Sequence, residues 1–204
     1  PGRWIGSTVT ALGGGALAVG DEVTEQQLQL LIGQGFDPVT KKALGLPYRK
    51  YPTTAERIER RTAKLDARLP VTERAAAVAA IESEEAARDS RKAVAGFDFT
   101  FSIPKSASVL WAVSDAGTQS LIADAHHAAV AEMVAFIERE VAATRVGSAG
   151  RNGAVSQAEV SGVIATAFDH YDSRAGDPHL HTHVVISNKV QTVHDGRWRS
   201  LDGR

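Results

Sequence analysis

Three histidines alternate along His179-Leu180-His181-Thr182-His183, and the chain then enters the apolar segment Val184-Val185-Ile186-Ser187. A fourth, His170, lies at the end of the preceding apolar run that begins at Gly162. Neutral imidazole is a common ligand of divalent metals. The β-branched run reads as a strand, in which side chains at i and i+2 leave the same face, so His181 and His183 are preset to point at one ion. His179 shares that face but stands roughly 13 Å from His183 at about 3.3 Å per residue. His170, brought across from a neighbouring strand, is therefore the expected third ligand. A single strand histidine is ordinarily a hydrogen-bonded, partly buried side chain. A His-x-His pair with another histidine one hairpin away is much rarer by chance.

Asp98 is the second group with chemistry. The segment Gly96-Phe97-Asp98-Phe99-Thr100-Phe101-Ser102-Ile103 alternates strictly, with the phenylalanines and Ile103 on one face and Asp98, Thr100 and Ser102 on the other. A carboxylate flanked by phenylalanines costs free energy unless it is paired. Metal-bound imidazoles commonly give their second N–H to a carboxylate, which fixes the tautomer. The spacing leaves two readings of Asp98 open: that partner, or an edge-strand aspartate facing water.

These groups need a scaffold. With 204 residues, 43% hydrophobic and 23% charged, the chain can bury one good core, so a single globular domain over 1–204 of α/β or α+β class is expected. The absence of cysteine excludes disulfides, thiolate nucleophiles and Cys-ligated zinc, which leaves histidine and carboxylate as metal ligands. A net charge of −1 carries no global nucleic-acid signal. The basic excess between Arg49 and Arg74 reads as a solvated helix face. No apolar stretch is read as approaching the roughly 20 residues that span a bilayer, and no signal peptide is read at the N-terminus, so a cytoplasmic protein without a membrane partner is expected. The opening on Pro1 and the stop at Arg204, just after a strand-like segment, suggest an interior fragment of a longer chain.

Residues 6 to 20, rich in Gly and Ala, read as a loop leading to a short strand, and Thr24 to Ile32 as a short helix. Thr53 with Glu56 forms a capping box opening a helix to about Leu69, and Thr72 is the expected cap of a second helix reaching about Lys92. Pro104 ends the Asp98 strand. Val109 to Val113 reads as helix or strand, and Gln119 to Ala143 as a long helix that includes His126 and His127. Strands are expected near Thr144 to Val146, Ala154 to Gln157 and Gly162 to His170, with a Gly-rich turn over Gly147 to Gly153. The histidine strand and a hairpin at His194-Asp195-Gly196 come last.

The run Gly96 to Trp111, together with Phe168-Asp169-His170, Ser173-Arg174, Asp177-Pro178 and Leu180-His181-Thr182-His183, closely resembles the relaxase domain of MobF conjugative proteins (the TrwC/TraI type), members of the HUH endonucleases. Pro1-Gly2-Arg3-Trp4 and the stretch Gly196 to Arg204 resemble family landmarks too. The resemblance implies the HUH relaxase fold, an α+β two-layer domain whose central, mainly antiparallel sheet carries the histidines and is flanked by helices. It implies a divalent metal ion (Mg, Mn or Zn-like) on His170, His181 and His183, with Asp98 beside them in a catalytic role. His179 stands where the family usually has another polar residue. Lys105 and Arg174 resemble family positions next to the site and are candidate DNA contacts.

The implied activity is nicking and strand transfer on single-stranded DNA at an origin of transfer, with further domains, such as a helicase, in the same polypeptide. A tyrosine hydroxyl attacks the scissile phosphate, giving a 5′-phosphotyrosyl protein and a free 3′-hydroxyl. Three neutral imidazoles leave a coordination position open for a phosphate oxygen. The family's nucleophilic tyrosines lie upstream of the segment resembling Pro1-Gly2-Arg3-Trp4, so Tyr48, Tyr51 and Tyr171 are not nominated. Two other classes remain open: a metallohydrolase that uses bound water, and a single-stranded DNA-binding module without catalysis.

Overall fold

The computed structural model describes residues 1–89, 92–147 and 155–202. The Gly-rich turn expected over Gly147 to Gly153 lies outside them apart from Gly147. Contacts divide the chain into two units, Pro1–Pro47 with Val94–Arg204, and Tyr48–Ala93.

In the first unit, the alternating segment at Asp98 and the histidine run form β3 (Gly96–Ser102) and β7 (Pro178–Ser187). With β1 (Gly2–Ile5), β2 (Glu22–Val23) and β6 (Ala165–Asp172) they make a five-stranded sheet in the order β2-β1-β6-β7-β3, antiparallel at every pairing. The expected α+β architecture with a central antiparallel sheet is what the chain adopts. β1 falls where no strand was expected; its four residues carry too short a pattern, and pairing with β2 and β6 makes the strand.

Helices cover one face of this sheet. Pro104 opens α4 (Lys105–Val113), which settles the helix-or-strand ambiguity at Val109. Asp115 caps α5 (Ala116–Phe136), its carboxylate accepting from the Gly117 and Thr118 N–H groups, and a π turn extends α5 over Ile137–Val141. Val130 and Val134 of α5 pack on Ala165, Ala167, Val184 and Ile186, with Ile5 and Phe101 at the margin. The phenylalanine side of β3 faces this layer. Because β3 is an edge strand, Phe99 stays 41% exposed. From Ala116 to Val141 the helix is long and apolar enough to cross a membrane by length and composition, which corrects the expectation that no stretch approaches that size. Its Val130 and Val134 are buried in the core against the sheet.

On the other face, Trp4, Ile164 and Phe168 are covered by Val9 and Leu12 of a 3-10 turn (Ser7–Gly14), by Leu31 and by Leu44. The first helix, α1 (Glu25–Leu28), starts from a capping box between Thr24 and Gln27 and continues as a π turn over Gln29–Gln34. Farther along the same face, towards β7 and β3, His170, Asp98, Thr100 and Ser102 are exposed. Two ribbons complete the unit, β4 (Ala143–Gly147) with β5 (Val155–Glu159), and β8 (Lys189–Gln191) with β9 (Trp198–Ser200). Asp195 closes the expected hairpin by accepting from Thr192, Arg199 and the Arg197 N–H.

The second unit is a helix pair, α2 (Thr54–Thr62) and α3 (Val71–Ala86). The Thr53–Glu56 capping box forms with both reciprocal bonds, 3.2 Å from Glu56 N–H to Thr53 Oγ1 and 2.7 Å from Thr53 N–H to Glu56 Oε2. α2 ends at Thr62 rather than near Leu69: the Lys64 and Leu65 N–H groups turn to the carbonyls of Arg61 and Thr62, and farther on Asp66 accepts the Arg68 N–H. Pro70, not Thr72, occupies the cap position of α3, which ends at Ala86 rather than near Lys92. Glu85 is buried between Arg57 and Arg61 and joins the two helices.

Candidate metal centre

Register brings the histidines together. β6 and β7 pair with Phe168 opposite His183, Asp169 opposite Thr182 and His170 opposite His181. Since alternate side chains share a face, His170, His181 and His183 project from one side of the sheet and Asp169 and Thr182 from the other. One candidate ligand atom from each of the three histidines lies within 4.8 Å of the others. The rings are mutually close, with centroids 5.1 Å apart for His170–His181 and for His170–His183, and 5.3 Å for His181–His183.

Two of the three imidazoles have their tautomer assigned by their partners. His181 Nδ1 lies 2.8 Å from the His179 carbonyl oxygen, which can only accept, so the proton is on Nδ1 and Nε2 is left with its lone pair. His183 Nδ1 lies 3.1 and 3.2 Å from the two Asp98 carboxylate oxygens and 3.3 Å from Thr100 Oγ1. A carboxylate acceptor there again places the proton on Nδ1 and presents Nε2. Asp98 is opposite Val185, hence diagonal to His183 across the β3–β7 pair, within reach for a side-chain contact. Of the two readings open in the sequence, the structure pairs Asp98 with a histidine of the cluster. His179 stacks its ring on His181 at 4.7 Å and serves the site through its backbone. Three imidazoles with nitrogen lone pairs on an accessible face are a donor set that fits a divalent metal ion.

Of the other candidates, Lys105 at the start of α4 donates to Asp177 and, at 2.9 Å, to the Pro178 carbonyl. Asp177 is held at about 2 by the Lys105 and Ser173 hydrogen bonds. Arg174 is exposed in the β6–β7 connection. Tyr171 stacks on Trp111 of α4, with centroids 5.3 Å apart and planes 12° apart, on the sheet face opposite the histidines.

A polar network behind the histidines was not found from sequence. Thr182 Oγ1 donates to Asp169 Oδ1 at 2.6 Å, and His126 Nε2 of α5 lies 2.8 Å from the same hydroxyl. The single hydroxyl proton is used on Asp169, so His126 donates from Nε2. Arg3 of β1 pairs with Asp169, and His127 Nε2 lies 3.1 Å from Asp169 Oδ2. Burial pushes the Asp169 carboxyl up, but the Arg3 and Thr182 hydrogen bonds outweigh it and hold the group below its ordinary range. Burial, helped by neighbouring His127, pushes His126 down and keeps it neutral. The available signal was His126 at an apolar position of the α5 pattern, a buried polar group in need of a partner.

Comparison with known proteins supplies the family. The TrwC relaxase family model matches residues 1–204. Among curated relatives, the multifunctional conjugation protein TraI of Escherichia coli is 41% identical over 106 residues, 52% of this chain and 6% of that protein. The TraI of strain K12 is 39% identical over a stretch of the same length. The chain thus spans a small part of the curated relatives it matches. Among solved structures, conjugative relaxase TrwC in complex with OriT DNA, without metal, superposes with a TM-score of 0.64 at 24% identity, covering 98% of this chain and 52% of that one. A copper-bound TrwC complex with OriT DNA gives 0.60 at 25% identity, covering 98% of this chain and 50% of that one. With the family match running from the first strand past the last, and the TrwC fold reproduced over nearly all of the chain, this protein belongs to the TrwC relaxase family.

Proposed function

We propose that this chain carries the metal centre of a conjugative relaxase and acts in nicking and strand transfer of single-stranded DNA at an origin of transfer. The observation that carries this reading is the convergence of His170, His181 and His183 on one accessible face, with Nδ1 of two of them tied to oxygen acceptors. A divalent cation held by these residues would supply Lewis-acid polarisation of a phosphoryl oxygen. The relatives support the substrate class: TraI is named a conjugation protein and TrwC is complexed with OriT DNA.

In this reading Asp98 keeps the proton on His183 Nδ1, which fixes the ring and raises its donor strength. Arg174, and more weakly Lys105 because Asp177 already pairs with it, contact phosphates beside the scissile bond. The attacking hydroxyl belongs to a tyrosine upstream of Pro1 in a longer protein, and not to Tyr171, which faces away from the cluster. Attack forms the O–P bond to tyrosine and breaks the bond to the 3′ oxygen, which leaves as a hydroxyl after taking a proton.

The test is incubation of single-stranded origin-of-transfer oligonucleotides with the 204-residue chain and with a version extended upstream, each with Mn²⁺ or a chelator. A metal-dependent, covalent protein–DNA band with the extended protein alone is the expected result. Cleavage by the 204-residue chain that leaves free 5′-phosphate would replace this reading with water-dependent hydrolysis. An adduct mapped to Tyr48, Tyr51 or Tyr171 would overturn the assignment of the nucleophile.

A further inference from the structure

We infer that Asp169 and Thr182, on the sheet face away from the histidines, are positioning residues that hold the three imidazoles in register. The inference rests on the metal-centre reading above and extends it to the reverse side of the sheet.

Asp169 and Thr182 are direct cross-strand partners, flanked on one side by the His170–His181 pair and on the other by Phe168–His183. Their hydrogen bond therefore sits at the one rung between the two ligand-bearing rungs. Just beyond the His170–His181 rung the ladder loses its register. From His170↔His181 the next pairing is Asp172↔Pro178, so β7 advances one residue more than β6. A bulge of this kind disrupts the ladder locally, and a slip of one residue would send every side chain of a strand to the opposite face, so a side-chain bond at the adjacent rung fixes the ligands where regular pairing ends.

The clamp is anchored beyond the two strands. Asp169 is 12% exposed and receives Arg3 from β1 as well as Thr182 from β7. His126, itself 6% exposed, ties the Thr182 hydroxyl to α5. Three adjacent strands and the covering helix thus meet behind the cluster. The isolated carboxylate would be costly to bury, and its partners make the arrangement hold only when β6 and β7 are in this register.

The test compares Thr182→Val, which keeps the shape and removes the hydroxyl, with Thr182→Ser, which keeps the hydroxyl, Asp169→Asn and His183→Ala. Divalent ion binding is measured by titration with Co²⁺, with the visible spectrum recorded at saturation and the melting temperature of the metal-free protein as a control. Thr182→Val and Asp169→Asn should weaken binding by about 10–100-fold and alter the Co²⁺ band pattern, the range expected for outer partners of metal ligands. Thr182→Ser should stay within about twofold of the parent. Wild-type affinity and spectrum in folded Thr182→Val would overturn the inference even if His183→Ala loses the ion. If His183→Ala binds like the parent, the metal-centre reading itself fails. Loss of folding in both Thr182→Val and Asp169→Asn, or an equal defect in Thr182→Ser, would show a purely structural role and also overturn it.

Discussion

The two assigned imidazoles are held by oxygens of different kinds, and substitution can separate them. His181 leans on the backbone carbonyl of His179, which no side-chain change removes, whereas His183 leans on the Asp98 carboxylate. Replacing His179 by Ala should therefore change divalent ion affinity little, since it deletes only the stacked ring. His170→Ala, His181→Ala and His183→Ala should each weaken binding by more than about 100-fold, beyond the range for outer partners, and Asp98→Asn by about 10–100-fold. Calorimetric titration of the five variants ranks them, and a silent His170→Ala beside a damaging His179→Ala would reassign the third ligand. Tyr171→Phe should leave adduct formation by the extended protein unchanged, because the Trp111 stack does not need the hydroxyl.

At the scale of elements, the passage into β6 is as constrained as β6 itself. Gly162 has φ +132, and a Cβ there would sit 1.9 Å from Ser7 Oγ and 2.8 Å from Glu138 Oε1. Glu138, on the π turn after α5, accepts from Ser7 N–H at 2.7 Å and from Val163 N–H at 2.9 Å. This carboxylate joins the end of α5 to the first turn and to the chain entering β6. Gly162→Ala combines an unfavourable φ with that clash and should cost about 1–3 kcal/mol. A protein of this size then melts several degrees lower, at about 2–4 °C per kcal/mol. Thermal unfolding followed by circular dichroism measures it, and an unchanged melting temperature would mean that the Glu138 junction yields without cost.

For the molecule as a whole, the buried charges set a pH profile. His126 lies below its ordinary value of 6.5 because it is buried, so the unfolded chain takes up a proton that the folded chain refuses. Its contribution to stability is complete above about 6.5 and is lost as pH falls through the depressed native value. Asp169 and Asp37 are both held low: burial opposes their ionisation, but Arg3 and Thr182 for the first, and the Gly13, Thr40 and Val39 N–H groups for the second, prevail. Their contribution is present above about 4 and is lost below it. Melting temperature should fall in two stages on acidification, and His126→Gln should remove the upper one; a rise between about pH 7 and pH 5 would contradict the assignment. DNA binding is also a property of the whole surface. Arg174→Ala should flatten the log-log salt dependence of single-stranded DNA binding by about 0.7, the value for one phosphate contact. Lys105→Ala should flatten it less, because Asp177 already neutralises that ammonium. Fluorescence anisotropy over a salt series decides, with Arg60→Ala of α2 as the comparison; a larger change there would move the DNA path to the helix pair.

The sequence by itself determined the features that arise from local periodicity. Alternation assigned the faces of β3 and β7 and set His181 and His183 side by side, and the Thr53–Glu56 spacing marked the start of α2, whereas His170 joins them only through the β6–β7 register. The local features each depend on residues within a short stretch of chain, where side-chain direction is dictated by the backbone repeat. Only the tertiary structure decided what lies beside and behind those faces. The diagonal from Asp98 to His183 depends on how β3 registers against β7, and the bond from His126 to Thr182 on which turn of α5 lands on the sheet. β1 exists as a strand because β2 and β6 flank it, and the helix after Thr53 stops early where the Lys64 and Leu65 N–H groups turn to the carbonyls of Arg61 and Thr62. Periodicity records which way a side chain points, whereas its partner is chosen by chain-distant packing and lateral register, which no short window of sequence contains.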